Sequence, residues 1–255
     1  MMMLCNPEQT KKEMIDWVRD YFEANGKDCY AVIGLSGGKD SSVAAAICAQ
    51  ALGPDRVVGV LMPNGIQPDI ADAEKLVDIL KIQSIKIDIS EVVNASEKVI
   101  TSSKEYATVC RNNQLSNDAK INLPARVRMT TLYAVAQSLS KGGRVVNTCN
   151  RSEDYVGYST KYGDMAGDFS LFANLLVQEV RQLGIALGLP KELVYKTPAD
   201  GLSGCTDEEK LGFSYEMLDE YLVSGHCEDA AIEEKIKYLH QINLHKLQPM
   251  PAFPN

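Results

Sequence analysis

Nine consecutive residues, Ile33-Gly34-Leu35-Ser36-Gly37-Gly38-Lys39-Asp40-Ser41, place a glycine turn with hydroxyls, a cation and a carboxylate where an apolar run gives way to a helical pattern. That combination suits the binding of pyrophosphate. Glycines at 37 and 38 allow backbone angles and close approach that a side chain would block. The free amides and dipole of the helix that follows attract an anion. Asp40 is the odd member, because a carboxylate beside phosphates repels them unless a divalent cation lies between. It reads as a magnesium ligand; an Asp capping its own helix is the competing structural reading. The spacing excludes a Walker phosphate loop and the dinucleotide fingerprint.

A second group lies at the end of the stretch Val145-Val146-Asn147. Thr148 offers a hydroxyl at a strand end, and Glu153, five residues on, offers a second carboxylate for the metal site. A Thr at a strand end and a Glu in a first helical turn also have ordinary structural roles. Next comes Gly157-Tyr158-Ser159-Thr160-Lys161-Tyr162-Gly163-Asp164-Met165-Ala166-Gly167-Asp168-Phe169, too rich in glycine for a helix. Its acids, lysine and aromatic residues suggest a loop that shapes a pocket.

The elements that must position these groups alternate. Strands are expected at 30–35, 56–62, 84–89 and 143–149, separated by helices near 41–52, 69–81, 91–106 and 118–140. The first strand is almost continuously apolar, as a strand buried on both faces must be. Ile85-Lys86-Ile87-Asp88-Ile89 alternates and suits a sheet edge. The pattern predicts an α/β doubly wound parallel sheet with ligands beyond the strand ends, near the switch in strand order. Ser36, Pro63 and Thr148 mark those ends. Further helices are expected from about 174 to 246, and the absence of linkers or repeats favours one domain over 1–255.

Bulk properties restrict partners. The chain has 255 residues, 45% of them hydrophobic, enough for one substantial core. A net charge of −8 argues against a nucleic-acid partner held by its phosphate backbone. Seven scattered cysteines without a Cys-x-x-Cys pair read as core thiols of a reducing cytosol. No run of about twenty apolar residues is present, so no membrane partner is expected and a cytoplasmic location is.

Ser-Gly-Gly-Lys-Asp-Ser after a strand resembles the signature of the ATP pyrophosphatases, which have a Rossmann-like, adenine nucleotide alpha hydrolase-like fold and cleave ATP between its α and β phosphates. The remaining motifs narrow this. Thr148 to Glu153, Tyr-x-Thr-Lys-Tyr-Gly-Asp at 158–164, Gly167-Asp168, Thr206-Asp207-Glu208, Leu211-Gly212-Phe213-Ser214-Tyr215 and His245-Lys246 are similar, in order, to those of the NAD synthetases. Gln67-Pro68-Asp69 and Ala125-Arg126-Val127-Arg128-Met129 match the same family.

The resemblance implies that the nicotinate carboxylate of deamido-NAD attacks the α-phosphate of ATP, pyrophosphate leaves, and ammonia displaces AMP to give NAD. It assigns ATP to Gly34, Leu35, Ser36, Gly37, Gly38, Lys39, Asp40, Ser41 and Thr148, and magnesium to Asp40 and Glu153. It assigns deamido-NAD to Arg126, Lys161, Asp168, His245 and Lys246. Asp164 lies in the loop that would orient or deprotonate ammonium. On a helix Arg126 and Arg128 project about 200° apart, so one of them reaches the substrate, and the family pattern favours Arg126. Members of this short form are homodimers. The length leaves no room for a glutaminase domain, so free ammonia or a separate protein would supply nitrogen.

Three departures stand on the page. Val177 occupies a position where the family carries a lysine for the ATP phosphates, Ala199 replaces a Ser or Thr, and Leu247 replaces the last residue of His-Lys-Arg. Lys39, where many relatives have Gln, is the candidate replacement for the lost cation. Another ATP pyrophosphatase, GMP-synthetase-like or tRNA-modifying, and a non-catalytic nucleotide-binding descendant are the alternatives.

Overall fold

The computed structural model describes residues 4–67, 70–196 and 206–253. Five strands form one parallel sheet in the order β3-β2-β1-β4-β5. They are β1 (Tyr30–Gly34), β2 (Val57–Leu61), β3 (Gln83–Lys86), β4 (Gly143–Asn150) and β5 (Phe169–Phe172). The chain runs outward from β1 to β3 and then returns to lay β4 on the other side of β1. In the centre Val32 pairs with Val58 on one side and Val145 on the other. The switch in strand order therefore brings the carboxyl ends of β1 and β4 side by side, a place for a ligand.

Helices cover both faces, which is why β1 is apolar on both. Ala31 and Ile33 point into a core shared with α1 (Pro7–Asn25), α2 (Lys39–Leu52) and α8 (Val177–Ala186), whereas Val32 points into one shared with α4 (Ser90–Thr101) and α6 (Asn117–Ser138). A third cluster joins α7 (Arg151–Val156), the start of α8, α11 (Tyr215–Ser224) and α12 (Ala230–Leu247). The remaining helices are α3 (Ile70–Leu80), α5 (Lys104–Cys110), α9 (Lys191–Val194) and α10 (Asp207–Leu211). This is the doubly wound α/β architecture expected from the alternating pattern.

Four elements differ from expectation. The helix expected over 91–106 is two, because Ser103 leaves the helical conformation and its hydroxyl accepts the Tyr106 amide to start α5. The third strand ends at Lys86, short of Ile89, and its four residues are exposed at the sheet edge. Helix α1 was not anticipated; Asn6 caps it, Pro7 occupies its first turn, and it buries Ile15, Val18 and Phe22. Strand β5 follows directly on the glycine-rich loop. The thiol expectation holds for Cys48, Cys149 and Cys227, which are buried, but Cys5 and Cys110 are exposed.

Candidate active site

The β1–α2 turn is built as the sequence implies. Gly37 takes a φ of +79°, a conformation that favours glycine, and Gly38, extended at φ −88°, is the N-cap of α2. The competing reading of Asp40 fails on this point, since Asp40 lies inside the first turn and does not cap it. Ser36 Oγ accepts the Gly38 amide at 3.2 Å and lies 3.2 Å from Ser41 Oγ, which fixes the turn. The opening turn of α2 faces a cavity of about 360 Å³. That volume lies within the usual range for small-molecule sites. Gly34, Leu35, Ser36, Gly38, Lys39, Asp40, Ser41, Thr148, Glu153 and Asp164 all line it.

Glu153 has both of the roles its position allows. It is the third residue of α7, where its amide donates to Asn150 Oδ1 and its Oε2 accepts the Asn150 amide. Its other oxygen, Oε1, lies 3.7 Å from Lys39 Nζ, which is 2.7 Å from Asp40 Oδ2. Asn150 Nδ2 donates to Asp40 Oδ1 at 3.1 Å, so one buried asparagine ties the α2 turn to the α7 turn. The two carboxylates thus converge on one point, and a cation already lies between them. Burial and then the Asp40 charge push the Glu153 carboxyl well above the usual carboxylate range, while Lys39 opposes them. Asp40 and Glu153 are the two oxygen ligands that this turn could offer a divalent cation such as Mg²⁺, beside the Lys39 ammonium that lies between them.

Lys39 does not point into solvent. Its side chain is 2% exposed, and its ammonium lies 5.8 Å from the centre of the Tyr215 ring. Desolvation works against its charge and the two carboxylates overcome that effect, so its pKa is raised. Val177 is fully buried at the first turn of α8, in the same cluster as Tyr215, whose hydroxyl has no hydrogen-bond partner among the described residues. Ala199 lies outside the described residues.

Asp164 is held at the cavity wall by the loop that carries it. Its Oδ1 accepts the Thr160 amide at 2.7 Å, and its carbonyl accepts Asn147 Nδ2 at 2.9 Å. Although solvent reaches Asp164 through the cavity, surrounding protein raises its pKa by desolvation. Close approach of the loop to β4 depends on Gly167, where an added Cβ would lie 2.8 Å from the Asn147 backbone nitrogen. Beside it, burial and then the Asp164 charge push Asp154 up to about 6, and Asp154 Oδ1 has no hydrogen-bond partner among the described residues.

The residues assigned to the second substrate form a separate group outside the cavity. Lys161 Nζ donates to the His245 carbonyl at 2.6 Å, Arg126 Nε to the Lys161 carbonyl at 3.3 Å, and Lys246 Nζ to the carbonyls of Gly157 and Ser159. Helix α12 thereby clasps the 157–168 loop. Asp168 is not part of this group: it accepts the Val145 amide at 2.7 Å and the Tyr133 hydroxyl at 3.3 Å. Of the two arginines on α6, Arg128 lines the cavity and Arg126 is exposed. Asn150, Lys196 and Asp207 also belong to the site, Lys196 and Asp207 as lining residues. Asn150 and Asp207 fall within the motifs at 148–153 and 206–208, but the contacts that bring them and Lys196 into the site join distant segments, so spacing along the chain assigns them no role.

The NAD synthase family model matches residues 10–250. The chain is 42% identical over 206 residues to the NH(3)-dependent NAD(+) synthetase of Methanococcus aeolicus, covering 79% of this chain and 76% of that protein. Among solved structures, an NMN synthetase from Francisella tularensis superposes with a TM-score of 0.85 at 32% identity, covering 98% and 99% of the two chains. An NH3-dependent NAD synthetase from Campylobacter jejuni, solved with nitrate, gives 0.74 at 27% identity, covering 98% and 100%. With a phosphate turn, a converging carboxylate pair and a matched span that includes both, the chain belongs to the NAD synthase family.

Proposed function

We propose that this protein is an ATP-dependent ligase that amidates deamido-NAD with ammonia, giving NAD, AMP and pyrophosphate. The observation that carries this reading is the convergence of Asp40 and Glu153 beside the β1–α2 turn, in a cavity that also receives Thr148 and Asp164. The turn amides and the α2 dipole hold the β and γ phosphates. Asp40 and Glu153 would hold Mg²⁺, which supplies charge neutralisation on the leaving pyrophosphate. Attack by the nicotinate carboxylate oxygen on the α-phosphate breaks the α–β bridge and leaves an acyl adenylate. Asp164 then takes a proton from ammonium at the acyl carbon as ammonia displaces AMP. Arg126, Lys161, His245 and Lys246 form a basic patch for the anionic dinucleotide, and Asp168, assigned to the same substrate, is held apart from them by the Val145 amide and the Tyr133 hydroxyl.

Three further features belong to the same reading. Val92, Val99, Val109 and Ile121 are exposed on neighbouring helices α4 to α6, an apolar face suited to a homodimer. Leu183, Leu193 and Val194 share a core with Ala31 and Ile33, which supports one domain. A cytoplasmic setting belongs to this reading through the family's reaction; separately, among the described residues no helix is long and apolar enough to cross a membrane.

The Francisella tularensis neighbour favours a second reading of the acceptor, in which the mononucleotide of nicotinic acid replaces deamido-NAD. Both acceptors present the same carboxylate, so the chemistry is unchanged. Supplying both at equal concentration with ATP, magnesium and ammonium decides it: the expected result is NAD as the major product. NMN as the major product transfers the assignment to the mononucleotide. No amide from either acceptor contradicts the ligase assignment.

A further inference from the structure

Three of the described cations line the cavity, and two of them also pair with carboxylates. Lys39 is held by Asp40 and Glu153, and Lys196 by Asp72 at 2.6 Å. Arg128 differs. Its Nε donates to the Met62 carbonyl at 3.1 Å, which fixes the side chain in the cavity wall just beyond β2. Among the described residues its terminal nitrogens have no protein acceptor and no carboxylate within ion-pair distance, and they are open to the cavity. Desolvation works against its charge, and the Asp164 carboxylate is the attractive charge opposing that effect. A crowded guanidinium with an unused fork is costly unless an anion completes it, and the fork matches two oxygens of a phosphate.

Position selects which phosphate. The β1–α2 turn and the carboxylate pair take the β and γ groups in the proposed function, and Asp164 marks the acyl carbon. Arg128 is anchored at the Met62 carbonyl, and the carboxylate that acts on its charge is Asp164 rather than Asp40 or Glu153, so it belongs to the acyl-carbon end of the cavity, where the proposed function puts the α-phosphate. We propose that Arg128 binds the α-phosphate, retaining it through the adenylate and in AMP; this rests on the ATP reading of the cavity. Arg128 is then a substrate-binding residue distinct from Arg126, which lies two positions away on another face of α6.

The test is calorimetric binding of ATP, AMP and adenosine to wild type, Arg128→Gln and Arg128→Lys, with thermal unfolding confirming that each variant folds. Glutamine can still donate to the Met62 carbonyl, so the prop is kept while the charged fork is lost. Arg128→Gln is expected to weaken ATP and AMP by about tenfold or more while adenosine changes by less than about twofold, with Arg128→Lys intermediate. Unchanged AMP affinity in Arg128→Gln overturns the inference, as does an equal loss for adenosine. If wild type binds none of the three, the ATP reading fails and the inference falls with it. If wild type binds ATP and Arg128→Gln binds it equally well, the role of Arg128 alone is refuted.

Discussion

Asp40→Asn is expected to lower turnover by orders of magnitude and also to weaken the fold, whereas Glu153→Gln is expected to lose turnover with a smaller loss of stability. Both substitutions remove a carboxylate assigned to the metal at the leaving pyrophosphate. The difference in stability comes from Lys39. Its ammonium is buried 2.7 Å from Asp40 and 3.7 Å from Glu153. Removing the nearer partner of a buried charge typically costs about 3–5 kcal/mol. Glu153 is already biased towards its neutral form by burial and by Asp40, so glutamine resembles what the fold prefers. Pairing Asp40→Asn with Lys39→Met removes the stranded charge and should restore the unfolding free energy without restoring turnover. Urea unfolding and steady-state rates on the four proteins check this. Wild-type turnover in either single variant at saturating ATP and limiting magnesium refutes its metal assignment.

Lys39→Gln is expected to weaken ATP binding by about 1.5–3 kcal/mol, the range for a charge-assisted contact, while deamido-NAD affinity barely changes. The physical basis is that Lys39 and Val177 lie on the same buried neighbourhood, that of Tyr215. Among the described residues the Tyr215 hydroxyl in that cluster has no partner, so a lysine at 177 would enter a neighbourhood that holds a free polar group. Val177→Lys in the Lys39→Gln background should therefore recover part of the lost affinity, and a double-mutant cycle isolates that coupling. Calorimetry on the four proteins decides it. An unchanged ATP affinity for Lys39→Gln sinks the idea that Lys39 replaces the missing cation and leaves the ligase reading standing.

The sheet was legible where local pattern and tertiary context agree. Apolar runs such as 30–35 mark strands buried on both faces, and the alternation near Ile85 marks the edge strand correctly. Strand β5 was not legible, because Phe169–Phe172 is four residues long and adjoins a glycine-rich loop, so its pattern is too short to separate from its neighbours. Helix α1 has a clear start at Asn6-Pro7, a capping signal that went unread beside the stronger motif at 34–41. In the site, the glycine turn after β1 and the placement of Glu153 near Asp40 were legible from residue type at a strand end. The engagement of Lys39 by both acids was not, since it depends on Asn150 drawing two distant turns together. Arg128 facing the cavity was likewise beyond helical spacing, which places two arginines on different faces without saying which face the sheet presents.

The central claim is that the cavity joins the nicotinate carboxylate to AMP before ammonia enters. Deamido-NAD carrying ¹⁸O in that carboxylate tests it most directly, by mass analysis of the products made with ATP, magnesium and ammonium. Attack by a carboxylate oxygen on the α-phosphate, followed by expulsion of AMP from the acyl carbon, moves one labelled oxygen into AMP. The expected result is one ¹⁸O in the AMP phosphate, equal amounts of AMP and NAD, and unlabelled pyrophosphate. Unlabelled AMP, or ADP with label in inorganic phosphate, contradicts the account.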